Sequence, residues 1–208
     1  APGMKELERL KELKKKHVES IGEEYDGKLH AWDYSYYLDQ LMQSEYGVDD
    51  DVIREYFPVN VIIEETLKIY QQLLSLRFEE IHEFDSWHPE VRLFAVYDAD
   101  ENLIGHFYLD LHPRVGKYTH AAILHILNRH GDQSPVDCML TNLPASVGGE
   151  PALLTHDDVV TFFHEFGHIM HAICSEGEAN NTHLAKCPRD FVEAPSQMLE
   201  NWCWKPEV

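Results

Sequence analysis

The run from Thr155 to Ser175, THDDVVTFFHEFGHIMHAICS, limits what this chain can fold into more than any other stretch. Phe162, Phe163, Phe166, Ile169 and Met170 make it apolar around much of a helical circumference, the pattern of a buried helix, yet His164, Glu165 and His168 sit in its middle. Burying such groups without partners carries a heavy desolvation cost, so the fold must bring them something to bind. Thr155, with Asp158 three residues on, forms a capping-box-like start in which Asp replaces the usual Glu or Gln. A helix is therefore expected from near His156 to about Ser175. Gly167 lies inside it, where glycine costs about 1 kcal/mol relative to alanine, and its presence points to a neighbour packed closely at that position.

On a helix, His164 and His168 are four residues apart, so both imidazoles project from one face and can bind one small cation through a nitrogen each. That is half of a tetrahedral zinc site. Glu165, beside the first histidine, can reach a water next to the ion without itself ligating, as a general base must. With 14 histidines in the chain, an H-E-x-x-H string arises by chance in roughly one such sequence in ten. Its buried helical context is what gives it weight. A catalytic zinc keeps three protein ligands, so one more must come from elsewhere. Glu193, twenty-five residues beyond His168 near the start of the next helix, suits a helix-loop-helix that returns antiparallel. Asp190 is the rival at the same helix end.

Around this helix the sequence reads as 208 residues of one globular domain, with 44% apolar residues to supply a core. Amphipathic helices are expected over Met4 to about Ile21, Trp32 to Tyr46 with Gly47 as stop, Asp50 to Tyr56, and Asn60 to Leu76. Tyr34, Tyr37, Leu38, Leu41 and Met42 form the inward stripe of the second; Ile63, Leu67, Tyr70, Leu73 and Leu74 that of the fourth. Strand periodicity then takes over at Phe78 to His82, Val91 to Tyr97, Leu103 to Leu111 and Val136 to Leu143, with a hairpin turn at 98–102. A final helix is expected from about Asp190 to Trp204. The fold class is mainly α with a small antiparallel sheet, in three stretches: helical 1–76, sheet 77–143 and zinc-site helices 155–204.

Lys and Arg number 17 against 37 Asp and Glu, a net charge of −20, which disfavours binding to a phosphate backbone. Nucleic acid is not an expected partner, and neither is a membrane, for the sequence has no apolar run of about eighteen residues. The opening APGMKELERLKELKKK lacks the apolar stretch of a secretory signal, so the expected setting is cytoplasmic, with the mitochondrion as the alternative. Cys138, Cys174, Cys187 and Cys203 lack paired spacing and read as reduced thiols.

Two blocks, FFHEFGHIMH (Phe162 to His171) and DFVEAPSQMLENW (Asp190 to Trp202), resemble the thimet oligopeptidase, neurolysin and saccharolysin family of zinc oligopeptidases. The likeness extends upstream through FYLDLHPRVGKYTHAA (Phe107 to Ala122) and WDYSYY (Trp32 to Tyr37). The resemblance implies a zincin-like core in which His164, His168 and Glu193 ligate one zinc ion and Glu165 activates water. It implies a monomeric endopeptidase with a deep channel for short peptides, with the sheet along the channel. His171, seven residues after His164, is expected to pack or hydrogen-bond near the site, and Glu200, seven after Glu193, reads either as a partner that orients a zinc-bound histidine or as a surface residue. His183 and Cys187 read as exposed loop residues. Where the family carries a Phe-rich stretch and a Gly-Thr pair, this chain has Ala179 to Lys186. The family's downstream His- and Tyr-rich segment has no counterpart in the sequence, which therefore looks like a piece of a longer enzyme. A truncated chain that binds zinc and peptide without turnover is the alternative function.

Overall fold

The computed structural model describes residues 2–47, 49–175 and 187–205. The chain forms two compact units, Ala1–Ile53 and Arg54–Val208. The first is a helical pair, α1 (Pro2–Ser20) and α2 (Tyr34–Tyr46), closed around Leu10, Tyr37 and Leu41, with Leu13, Leu29 and Leu38 packed beside them. Two members of the expected stripe, Tyr34 and Met42, are exposed instead. A charged residue takes up part of the interface: Lys14 is buried and donates to Asp33 at 2.6 Å. An ammonium with a carboxylate partner can lie in such a seam because pairing offsets its desolvation.

The short helix α3 (Asp50–Arg54) precedes the second unit, which consists of α4 (Val59–Leu74), a five-stranded sheet, α5 (His156–Cys174) and α6 (Glu193–Glu200). The strands are β1 (Arg77–Ile81), β2 (Arg92–Tyr97), β3 (Leu103–Asp110), β4 (Ala122–Leu127) and β5 (Val136–Leu140), in the order β1-β2-β3-β5-β4. The sheet is mixed, which corrects the antiparallel expectation. β3 and β5 run parallel, with Phe107 opposite Asp137 and Leu109 opposite Met139, while every other pair is antiparallel. The reason is β4, a strand absent from the four expected. It runs back at the edge of the sheet, antiparallel to β3 and one position removed from it, so that β5 inserts between the two in the direction of β3.

Strand alternation puts Phe107, Leu109 and Met139 on one face of the sheet, where they join Val59, Ile63, Leu67 and Tyr70 of α4 and Phe162, Phe166, Ile169 and Ile173 of α5 in one core. The inward stripe of α4 ends at Tyr70, since Leu73 and Leu74 are exposed. Rings lock α5 in place: Phe166 meets Tyr70, Phe107 and Phe78 edge-on at 4.8, 5.2 and 5.8 Å, and the Tyr70 hydroxyl donates to the Phe163 carbonyl at 2.7 Å. Gly105 on β3 admits the last turn of α5, for a Cβ there would lie 2.7 Å from Ile173 Cγ2. Arg129 fastens the same turn by donating to the carbonyls of Ile173 and Ile104. Among the described residues, no helix is long and apolar enough to cross a membrane.

Candidate metal centre

α5 begins with the expected capping box. Thr155 Oγ1 accepts from the Asp158 amide at 3.1 Å, and Asp158 Oδ2 accepts from the Thr155 amide at 2.8 Å. This fixes the helical phase, and with it the shared face of His164 and His168. The returning helix is shorter than the sequence suggests: turns occupy 189–192, α6 spans Glu193–Glu200, and a 3-10 turn follows at Asn201–Trp204. Pro195 accounts for the late start. Its ring would clash with the carbonyl of residue 191 if the helix began a turn earlier, while in the first turn its missing N–H costs nothing. Glu193 thereby becomes the first residue of α6, at the end nearest the histidines.

α5 and α6 pack antiparallel. His156 at the start of α5 reaches the Cys203 carbonyl at 3.1 Å and lies 4.3 Å, ring to ring, from Trp204. Gly167 explains how closely the helices approach, because a Cβ on it would stand 2.9 Å from Ser196 Cα and 3.3 Å from Leu199 Cδ1. The glycine that looked costly in the sequence is the point of contact.

Across this contact three ligand atoms converge. His164 Nε2, His168 Nε2 and Glu193 Oε2 are each 3.1 Å from the other two. Zinc bonds of about 2.0–2.1 Å in a tetrahedral site set ligand atoms roughly 3.3 Å apart, so the triangle matches the first shell of such an ion to within a few tenths of an ångström. Protons alone satisfy the triangle poorly. One proton on one nitrogen serves one neighbour, and the other pairs still face each other lone pair to lone pair. The residues present therefore fit a divalent metal.

The two rings have different surroundings. Glu200 Oε1 accepts from His164 Nδ1 at 2.6 Å, which places the ring proton on Nδ1 and leaves Nε2 free to coordinate. His168 is buried, and burial first, then the neighbouring His164, holds its pKa below the ordinary histidine value against the opposing pull of Glu193. Its Nδ1 has no hydrogen-bond partner among the described residues. Glu165 is not one of the converging groups. Burial raises its pKa, His164 opposes and Glu193 adds to the rise, which leaves it a better proton acceptor than an ordinary carboxylate.

Among the described residues, His164, His168 and Glu193 are the one cluster of three or more such groups placed to hold a metal ion. Asp190, the rival third ligand, is not part of it. His171 is half-buried, its pKa lowered by burial, and stays outside the triangle. His183 lies outside the described residues, and Cys187 is partly buried. One contributor was not legible in the sequence: Ser196, fully buried one turn after Glu193, whose Oγ lies 3.3 Å from Glu193 Oε2. Its only sequence signal is a small polar residue three positions after the carboxylate, which by itself is unremarkable.

The class so defined is a protein in which two imidazoles and a carboxylate, placed so that they could hold a metal ion, converge from two antiparallel helices against a mixed sheet. More particularly, the chain belongs to peptidase family M3, whose family model matches residues 2–208. It is 43% identical to the thimet-like oligopeptidase of Dictyostelium discoideum over 98% of this chain and 32% of that protein. It is 37% identical to saccharolysin of Saccharomyces cerevisiae over 97% of this chain and 30% of that protein. To oligopeptidase A of Salmonella typhimurium it is 38% identical, over 99% and 30%. The chain thus spans about a third of the length of these curated relatives.

Proposed function

We propose that this chain carries the zinc site and the general base of an oligopeptidase that hydrolyses short peptides. The observation that carries the reading is the convergence of His164 Nε2, His168 Nε2 and Glu193 Oε2 at 3.1 Å beside a carboxylate whose pKa is raised. Zinc in such a site lowers the pKa of water to about 7 and polarises a substrate carbonyl. Glu165 accepts the proton from the water that attacks the peptide carbonyl and delivers it to the departing amine. His164 is kept in its coordinating tautomer by Glu200, and burial keeps His168 unprotonated at neutral pH.

The sheet has a part in the same reading. Among the described residues β4 is an edge strand with one side unpaired, and Leu124, Ile126 and Leu127 on it are exposed, a surface on which an extended peptide could add as a further strand. Short peptides in the cytoplasm are the proposed substrates, and the chain is proposed to act as a monomer.

Elemental analysis tests the reading directly. One zinc per chain is expected, and Glu193→Ala should no longer hold it at equimolar zinc, leaving only the weaker grip of the two imidazoles. Glu165→Gln should keep the metal while hydrolysis of a quenched fluorescent peptide falls about 10³-fold, within the usual range for loss of a general base. Protein that takes up no zinc, or a Glu193→Ala variant that takes it up as before, would overturn the proposal.

A further inference from the structure

We propose that Ser196 is a positioning residue of the metal centre: its hydroxyl holds the Glu193 carboxylate against the two imidazoles, and Gly167 is the residue of α5 that lets it stand there. This rests on the zinc reading above and extends it to a side chain that ligates nothing.

Ser196 is fully buried, so its hydroxyl must find an acceptor inside the protein. Two lie within reach, the Glu193 carbonyl at 3.0 Å and Glu193 Oε2 at 3.3 Å, and both belong to the same residue. With one proton and two acceptors, the hydroxyl bridges the backbone of Glu193 to its own carboxylate. The oxygen it touches is the one 3.1 Å from each imidazole nitrogen.

Glu193 needs such a restraint. Its side chain is about half exposed and sits on the first residue of α6. A carboxylate free to swing into solvent loses rotamer freedom when it ligates, and a carboxylate already held loses less. The hydroxyl also leaves the ligand oxygen a lone pair for the ion, because a carboxylate oxygen accepts more than one bond.

Gly167 supplies the room. It lies between His164 and His168 on α5, and the virtual Cβ that falls 2.9 Å from Ser196 Cα is also 3.3 Å from Ser196 Cβ. Ser196 thus stands over the helix at the level of the imidazole pair. A bulkier residue at either position would lift the start of α6 and carry Glu193 away from the rings.

A role in packing alone and a role through Glu193 predict different outcomes in a double-mutant cycle. Zinc dissociation constants are measured by chelator competition for the parent chain, Ser196→Ala, Ser196→Gly, Glu193→Ala and the Ser196→Ala/Glu193→Ala pair. Thermal unfolding of each metal-free protein is followed in parallel. Ser196→Ala and Ser196→Gly should each weaken zinc binding about tenfold or more, as loss of a partner behind a ligand typically does, with the metal-free midpoint of Ser196→Ala close to the parent's. In the Glu193→Ala background, Ser196→Ala should weaken zinc no further. If Ser196→Ala fails to fold, Ser196→Gly, which likewise lacks the hydroxyl and brings no metal ligand, takes its place in the cycle. Undiminished affinity in the serine variants, or an equal loss in both backgrounds, overturns the proposal. Undiminished uptake in Glu193→Ala alone overturns the ligand assignment beneath it, which is a separate result.

Discussion

Asp110 and Glu193 are both carboxylates that face nitrogen-bearing side chains within the same unit, but those nitrogens bring opposite things. Asp110, at the end of β3, receives Arg114 Nη1 and Nη2 at 2.6 and 2.7 Å, Trp87 Nε1 at 2.9 Å and Lys117 Nζ at 3.0 Å. Lys117 also donates to the carbonyls of Asp110 and His112. Every contact pairs a proton with a lone pair. Burial would push the Asp110 carboxyl up, but its donors outweigh burial and hold it well below the usual carboxylate range. Glu193 Oε2 instead stands 3.1 Å from two imidazole nitrogens that are themselves 3.1 Å apart, and a single proton cannot pair all three. The first cluster is self-sufficient in protons and lone pairs; the second is the one we propose binds the metal.

Removing a carboxylate from each cluster separates the two roles. Asp110→Ala leaves the buried Lys117 and the partly buried Arg114 without their partner and should cost about 3–5 kcal/mol of stability, read from urea unfolding of the metal-free protein. The zinc affinity of the folded variant should match the parent's, so a changed affinity would mean that the clusters are not independent. Zinc should act oppositely, adding about 2.7 kcal/mol to the unfolding free energy at a free concentration of 100 times its dissociation constant, with chelation reversing the gain. Glu200→Gln removes the charged acceptor behind His164 and should weaken zinc binding by about 10–100-fold with a small effect on metal-free stability.

Acid should take the clusters apart in a fixed order. Protons compete with the ion for imidazole nitrogens, so zinc release, followed by a chelating dye, should begin as the pH falls into the ordinary histidine range near about 6.5. The Asp110 cluster behaves as a carboxylate with a depressed folded pKa. Its contribution is fully present above the unfolded value of about 4 and is lost only as the pH falls from there toward the lower folded value. Loss of metal and loss of this stability on the same titration step would erase the distinction.

What the sequence made legible follows physical range. The capping box at Thr155, the shared face of His164 and His168 and the neighbour implied by Gly167 are settled within a few residues or by one helical period, and the structure shows each of them. Glu193 could be proposed because the connection is a simple return. The parallel pairing of β3 with β5 could not be read, because register between segments some thirty residues apart is written in no local pattern. β4 carries an apolar run whose outer residues are exposed, so burial periodicity is weak there. Lys14 looks like surface until Asp33, nineteen residues on, arrives to pair with it. The expected long last helix failed at Pro195, where the clash with residue 191 outweighed the helical pattern before it.

The placement of β5 between β3 and β4 has a consequence for how this unit assembles. β4 is made earlier in the chain, yet its one strand neighbour is β5, which follows it. Its amides can gain ladder protection only after β5 has docked, so hydrogen exchange in β4 should never be slower than in the strand that anchors it. The rim proposed to receive a peptide would then be the last part of the sheet to form and the first to open.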